Sequence, residues 1–178
     1  MSPETHWYAL KVFYNKVPEL KARLDAASLE CFCPLGVAGK PLVAGLLFVH
    51  CTEPQLLEWR KAAPQDIKFV IYTRKEVRPS RFDLLEQEHD VPAPIPEREM
   101  EAFMLVTGTD ASLFDVLGPD DPKYRTGQRV RVTQGPFAGA EGYVKRIKKD
   151  RRLVITVSGI VAIATVHINP KYLEPVSS

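Results

Sequence analysis

Between Val154 and Ile168, ten of fifteen residues are β-branched: valine, isoleucine or threonine. Two substituents on Cβ restrict χ1 against a helical backbone and suit a pleated sheet. The C-terminal third of the chain is thereby confined to strands. RVRV (129–132), GYVKRI (142–147), RLVITV (152–157) and IVAIATVHI (160–168) are short strand-like runs set apart by turn residues at close intervals. That spacing predicts a small all-β barrel. Residues 123–178 are enough to fold alone, as strands and not as helices.

The N-terminal part follows another rhythm. HWYALKVFY (6–14) reads as a strand, rich in aromatic and β-branched side chains. Val17, Leu20, Leu24 and Ala27 then recur at helical spacing, with Asn15 placed as a cap. LECFCPL (29–35) is short and extended, and the turn GVAGKP leads into a buried strand, LVAGLLFVHC (42–51). Thr52 caps a helix over EPQLLEWRKAA, with Pro54 in its first turn, and IKFVIYT (67–73) is a fourth strand. The order β-α-β-β-α-β predicts an α+β, ferredoxin-like N-terminal domain joined to an SH3-like β-barrel. A polar, proline-punctuated stretch follows over 74–96, then a helix over EREMEAFMLV with Met100, Phe103 and Met104 on one side. The turn formers at both ends of 107–122 mark a linker, within which Leu113, Phe114, Val116 and Leu117 form an apolar run. The expected organisation is 1–106, linker 107–122, and 123–178.

Charge divides the chain the same way. Residues 1–122 hold 13 Lys and Arg against 19 Asp and Glu, whereas 123–178 hold 11 against 3. Such asymmetry points to a module that meets nucleic acid or an acidic partner, joined to something else. The longest apolar run, Leu42 to Val49 broken only by Gly45, is too short to span a bilayer. Glu4 and His6 stand where a secretory leader needs a cationic and then an apolar segment, so a cytoplasmic protein is expected. Cys31, Cys33 and Cys51 form no disulfide framework or zinc pattern and fall in apolar runs, so no metal or cofactor is expected. His6, His50, His89 and His167 are scattered, no serine has a nucleophile context, and Asp120-Asp121 sits in a turn; the pattern is not that of an enzyme.

Gly127, Gly135, Gly139 and Gly142 crowd the segment GQRVRVTQGPFAGAEGYVKRI. No Lys-Ser/Thr pair follows them, so they make no phosphate loop. They are read as turn residues, Gly139 and Gly142 through positive φ, with Phe137 plugging an end of the barrel. Arg129 and Arg131 alternate with Val130 and Val132 and share the polar strand face. Lys145, Arg146, Lys148, Lys149, Arg151 and Arg152 crowd a hairpin with Asp150 at its tip, more cations than protection of a strand edge requires. These eight residues are the candidate contacts to nucleic acid or an acidic partner.

VRVTQGPFAGAEGYVKRI resembles the KOW motif: a strand, then G-P-F-x-G-x-x-G, then a strand with basic residues. HWYAL at the start of a β-α-β-β-α-β domain, and PLVAGLLFV as its third strand, resemble the N-terminal domain of NusG-family transcription elongation factors. REMEAFMLV behind PAPIP, with RRLVITVSGIVAIATVHINPKYLEP, is similar to the UpxY-type antiterminators of capsular-polysaccharide operons. The resemblance implies a monomeric factor riding on RNA polymerase, held at the clamp helices of the largest subunit, and suppressing pausing or termination. Its barrel would meet ribosomal protein, termination factor, or nascent RNA or DNA. The implied polymerase contacts are Leu46, Tyr8 and Phe48. Ala44, Gly45 and Leu46 stand where the family usually carries a Pro-Gly-Tyr-like sequence, which reduces the aromatic area of that contact. A ribosome-associated RNA-binding protein is the alternative, and it leaves the acidic N-terminal half without a role.

Overall fold

The computed structural model describes residues 3–63, 65–79 and 85–177. The chain divides into two compact units, Met1–Cys33 with Ala44–Pro94, and Pro34–Val43 with Ile95–Ser178.

The first unit is built on a four-stranded sheet of β1 (Thr5–Val12), β2 (Glu30–Phe32), β3 (Leu46–Thr52) and β4 (Phe69–Ile71). Their order across the sheet is β2-β3-β1-β4, and every pair is antiparallel. Helices α1 (Val17–Ala26) and α2 (Glu53–Ala62) supply Val17, Leu20, Leu24 and Leu56 to a core shared with Tyr8, Leu10, Val12, Leu47, Val49 and Cys51. Thr52 and Gln55 form a reciprocal capping box at the start of α2, with Pro54 in the first turn. The cap expected at Asn15 is absent. Asn15 and Tyr14 both take positive φ in the turn before α1, whose N-cap is Lys16 without a side-chain bond.

The strand expected over 42–51 begins at Leu46. Gly45 has φ of +75°, and its carbonyl accepts the Val12 amide at 2.7 Å. A Cβ there would stand 2.5 Å from the Val12 carbonyl oxygen, so the chain bends at a point that only glycine can occupy. The polar stretch after β4 is not irregular. It folds back as an antiparallel ribbon of β5 (Thr73–Pro79) and β6 (Glu86–Pro92), tied by Lys75–Asp90 at 2.9 Å and by Arg78 to Glu53 and Glu76. Residues 80–84 of that stretch lie outside the described residues.

The second unit is a six-stranded antiparallel sheet of β7 (Phe114–Gly118), β8 (Arg129–Val132), β9 (Glu141–Ile147), β10 (Asp150–Val157), β11 (Val161–His167) and β12 (Leu173–Pro175). Its order is β12-β8-β9-β10-β11-β7. Alternation sends Val130, Val132, Leu153, Ile155, Val157, Val161 and Ile163 to one buried face. Val154, Ala162 and Ala164 cluster on the other, joined by Leu117, Tyr124 and Ile147. The helix α3 (Glu97–Thr107) packs across β9 and β10.

The expected boundaries differ here. The segment 107–122 is not a plain linker, because β7 inside it is the strand paired with β11. The apolar run Phe114–Leu117 is therefore a sheet edge, and α3 groups with the C-terminal unit instead of the N-terminal one. Two carboxylates hold the β10–β11 turn in place. Glu99 accepts from Ser158 N at 2.6 Å and Ser158 Oγ at 3.0 Å, and Asp120 accepts from Gly159 N at 2.7 Å while pairing with Arg125. Asp120, read from the sequence as a turn acid, is a structural anchor.

Gly139 has φ of +94° in the turn that buries Phe137, whereas the positive φ expected at Gly142 is not found. Gly142 is needed for a different reason: a Cβ there would stand 2.3 Å from the Val154 carbonyl oxygen of the neighbouring strand.

Candidate functional site

The sheet of the first unit has two apolar faces. One lies beneath α1 and α2. By register, the opposite face carries Trp7, Ala9 and Lys11 of β1, Leu46, Phe48 and His50 of β3, Glu30 and Phe32 of β2, and Val70 of β4. Phe32 stacks on Phe48 with ring centroids 6.3 Å apart, and Trp7 stacks on His50 at 4.8 Å. His50 Nδ1 lies 3.1 Å from a Glu30 oxygen, which gives the aromatic face a polar margin. Leu46 is 3% exposed and Phe48 0% exposed, so both are fully buried in the chain.

Tyr8 does not join them. It points to the helix-covered side and belongs to the core cluster with Leu20, Leu24 and Leu56. Burial pushes its phenol up to about 12, with the Glu53 carboxylate adding to the rise. The sequence grouped Tyr8 with Leu46 and Phe48, yet the ladder pairs it with Val49 and so assigns it to the opposite face.

The eight cations of the second unit separate into two sets. Arg129 and Arg131 both bond Glu141, at 2.9 and 3.0 Å, and Arg131 also meets Glu174 at 3.7 Å. Lys145 donates to the Thr126 carbonyl at 2.7 Å, and Arg152 pairs with Asp115 at 2.9 Å. These four are occupied in holding the sheet. Arg146, Lys148, Lys149 and Arg151 are exposed and make no side-chain bond among the described residues.

The free set sits where local physics disfavours it. Lys148 and Lys149 form the two-residue turn between β9 and β10, with φ of +50° and +73°. Such a turn prefers Asn-Gly, and a left-handed conformation costs an L-residue with Cβ about 1–2 kcal/mol. Asp150, expected at the tip, is instead the first residue of β10. Arg146 stands directly opposite Arg151 across the ladder, and Lys145 opposite Arg152. Like charges in that position repel. The positive end of this hairpin is retained against three local costs.

All three thiols are shifted away from the thiolate form. Burial pushes Cys51 up to about 11, and burial together with a hydrogen bond to Asp25 does the same for Cys31. Cys33 is also raised by burial. A thiol so shifted stays protonated near neutrality, which disfavours both nucleophilic attack and metal ligation. No cluster of three or more metal-ligating side chains occurs among the described residues, and none of their helices is long and apolar enough to cross a membrane.

No curated protein matches the chain. A family model described as "Transcription termination factor nusG" matches residues 5–104, more than half of the chain, from the opening strand into the last turn of α3. Members of that family are non-enzymatic transcription factors that bind RNA polymerase, and on this match the chain belongs to the NusG family.

Proposed function

We propose that this protein is a polymerase-bound elongation factor that suppresses pausing or termination, acting as an operon-specific antiterminator of the UpxY type on capsular-polysaccharide genes. The first unit is read as a ferredoxin-like domain, on its strand order β2-β3-β1-β4, and the second as a KOW-type barrel around the GPFAGAEG turn. The observation that carries the reading is the second apolar face of the sheet, centred on Leu46 and Phe48 with Phe32 stacked on it. A sheet needs only one apolar face to hold its own helices. A second such face needs a cover, which the chain itself supplies at Leu46 and Phe48 in this state. The resemblance to the family makes the clamp-helix tip of polymerase the cover that replaces it on docking. Because Leu46 and Phe48 are buried in the chain, docking there requires the face to open first.

Two variants test the reading by polymerase pull-down beside thermal unfolding. Leu46→Asp places an unpaired carboxylate on the face and should abolish capture, with a lowered melting temperature because Leu46 is buried. Val70→Asp lies on the same face but is 43% exposed, so it should weaken capture while leaving the melting temperature near that of the parent. Undiminished capture by folded Val70→Asp and Leu46→Asp would remove this face from the interface. Recovery with ribosomal subunits in place of polymerase would instead favour a ribosome-associated role, to which the basic hairpin lends some support. Mapping the protein across the genome separates the specialist from the general factor: occupancy of a single operon is expected, and occupancy of all transcribed genes would refute operon specificity.

A further inference from the structure

At the base of the cationic hairpin lies a pocket of about 190 Å³, lined by Val144, Leu153, Ile168, Pro170 and Leu173, with Arg151 and Arg152 completing its wall. Its lining is otherwise wholly aliphatic. An apolar cavity of about 150 Å³ accepts a benzene ring, so this one has room for a phenyl or isobutyl group. Arg152 borders the pocket, but alternation along β10 sends its side chain to the other face, where Asp115 holds it. Arg151 is exposed and stands opposite Arg146, and the lysine turn is two residues away, within about 10 Å at the rise of a strand.

We infer that the β9–β10 hairpin and this pocket form one binding site for an acidic peptide, in which a bulky apolar side chain fills the pocket and flanking carboxylates meet Arg146, Lys148, Lys149 and Arg151. The inference rests on reading the hairpin as a partner surface, not on polymerase docking. Charge complementarity identifies the ligand as anionic: four cations have no side-chain partner among the described residues, and their turn has lysine where Asn-Gly would be easier. The pocket identifies it as a peptide. A nucleobase carries several donors and acceptors on its edges, and an aliphatic lining would leave them unpaired. A phenyl or isobutyl side chain has none to satisfy. The reach from pocket to lysine turn requires the carboxylates to lie within about three residues of the anchor.

The test is fluorescence anisotropy on the full chain without polymerase, so that its outcome is independent of docking. The probes are labelled Glu-Glu-Phe-Glu-Glu, its Phe→Ala counterpart, and an oligouridylate of equal charge. At low salt the phenylalanine peptide should bind about tenfold or more tighter than the alanine peptide, the margin set by burial of one phenyl ring. Lys148→Gln with Lys149→Gln should weaken both peptides severalfold and flatten their salt dependence, while the ratio between them persists. Circular dichroism of that variant should match the parent, since both side chains are exposed. Equal affinity for the two peptides overturns the proposal, as does failure of both to bind. Tighter binding of the oligouridylate than of the phenylalanine peptide also overturns it and makes the hairpin a nucleic-acid contact.

Discussion

Replacing Gly142 with alanine should strongly destabilise the sheet of the C-terminal unit. The added Cβ would lie 2.3 Å from the Val154 carbonyl oxygen and 3.2 Å from its carbon, both backbone atoms of the adjacent strand. A flexible side chain swings away from such a contact, but a ladder carbonyl moves only with its strand. β10 is the middle of this sheet, flanked by β9 and β11, and it carries Leu153, Ile155 and Val157 into the buried face. Separating β9 from β10 therefore disturbs both the ladder and the core. We expect a loss of about 3 kcal/mol or more, the upper range for overpacking, against the roughly 5–15 kcal/mol that a domain of this kind has in total. Gly139→Ala is the comparison. Its Cβ would meet only Leu105 Cδ1 at 3.6 Å, an ordinary contact, so the cost is the φ of +94° alone, about 1 kcal/mol. Urea midpoints followed by far-ultraviolet circular dichroism should rank parent, Gly139→Ala and Gly142→Ala in falling order. An unshifted midpoint for Gly142→Ala would mean that β9 and β10 do not approach this closely.

The second large effect concerns where the C-terminal unit begins. Sequence patterning assigns an independent barrel to 123–178. The structure adds β7, which pairs with β11, and α3, which covers β9 and β10. A fragment starting at residue 123 loses both. Strand β11 becomes an open edge, and Val154, Ala162 and Ala164 lose Leu117 from their cluster. Each large apolar side chain moved from burial to water costs about 1.5–3 kcal/mol, and a fragment of this size has little stability to lose. The fragment 95–178 is expected to unfold cooperatively with a sheet-type spectrum, whereas 123–178 should be largely unfolded or aggregate through its edge. Equal melting temperatures for the two would show that α3 and β7 contribute nothing to the fold of this unit. Strong helical minima in 123–178 would contradict the β-branched reading of 154–168 at its root.

Several features were legible because they are local. The β-branched density of 154–168 dictates β10 and β11 through χ1 alone, and Thr52 with Gln55 and Pro54 announces the start of α2. Alternation in RVRV correctly separates Arg129 and Arg131 from Val130 and Val132. The β5–β6 ribbon escaped notice because its residues are charged on both faces and carry no apolar period for a pattern to detect. Strand β7 escaped because five residues between turn formers resemble a linker until a partner strand exists to pair with them.

What the sequence determined by itself was the type of each strongly patterned element, the division of charge between the two ends, and the presence of a cation-rich hairpin. Those follow from side-chain shape, spacing and composition, which act over a few residues. Only the tertiary structure decided that Tyr8 is core while Leu46 and Phe48 share the opposite face, because a face is assigned by strand register, and register is set by the partner strand. It also decided which cations are available. Arg129, Arg131, Lys145 and Arg152 are taken up by Glu141, Thr126 and Asp115, residues 10 to 37 positions away in the chain. Arg146, Lys148, Lys149 and Arg151 make no side-chain bond among the described residues: Lys148 and Lys149 form the exposed turn, and Arg146 and Arg151 face each other across the ladder.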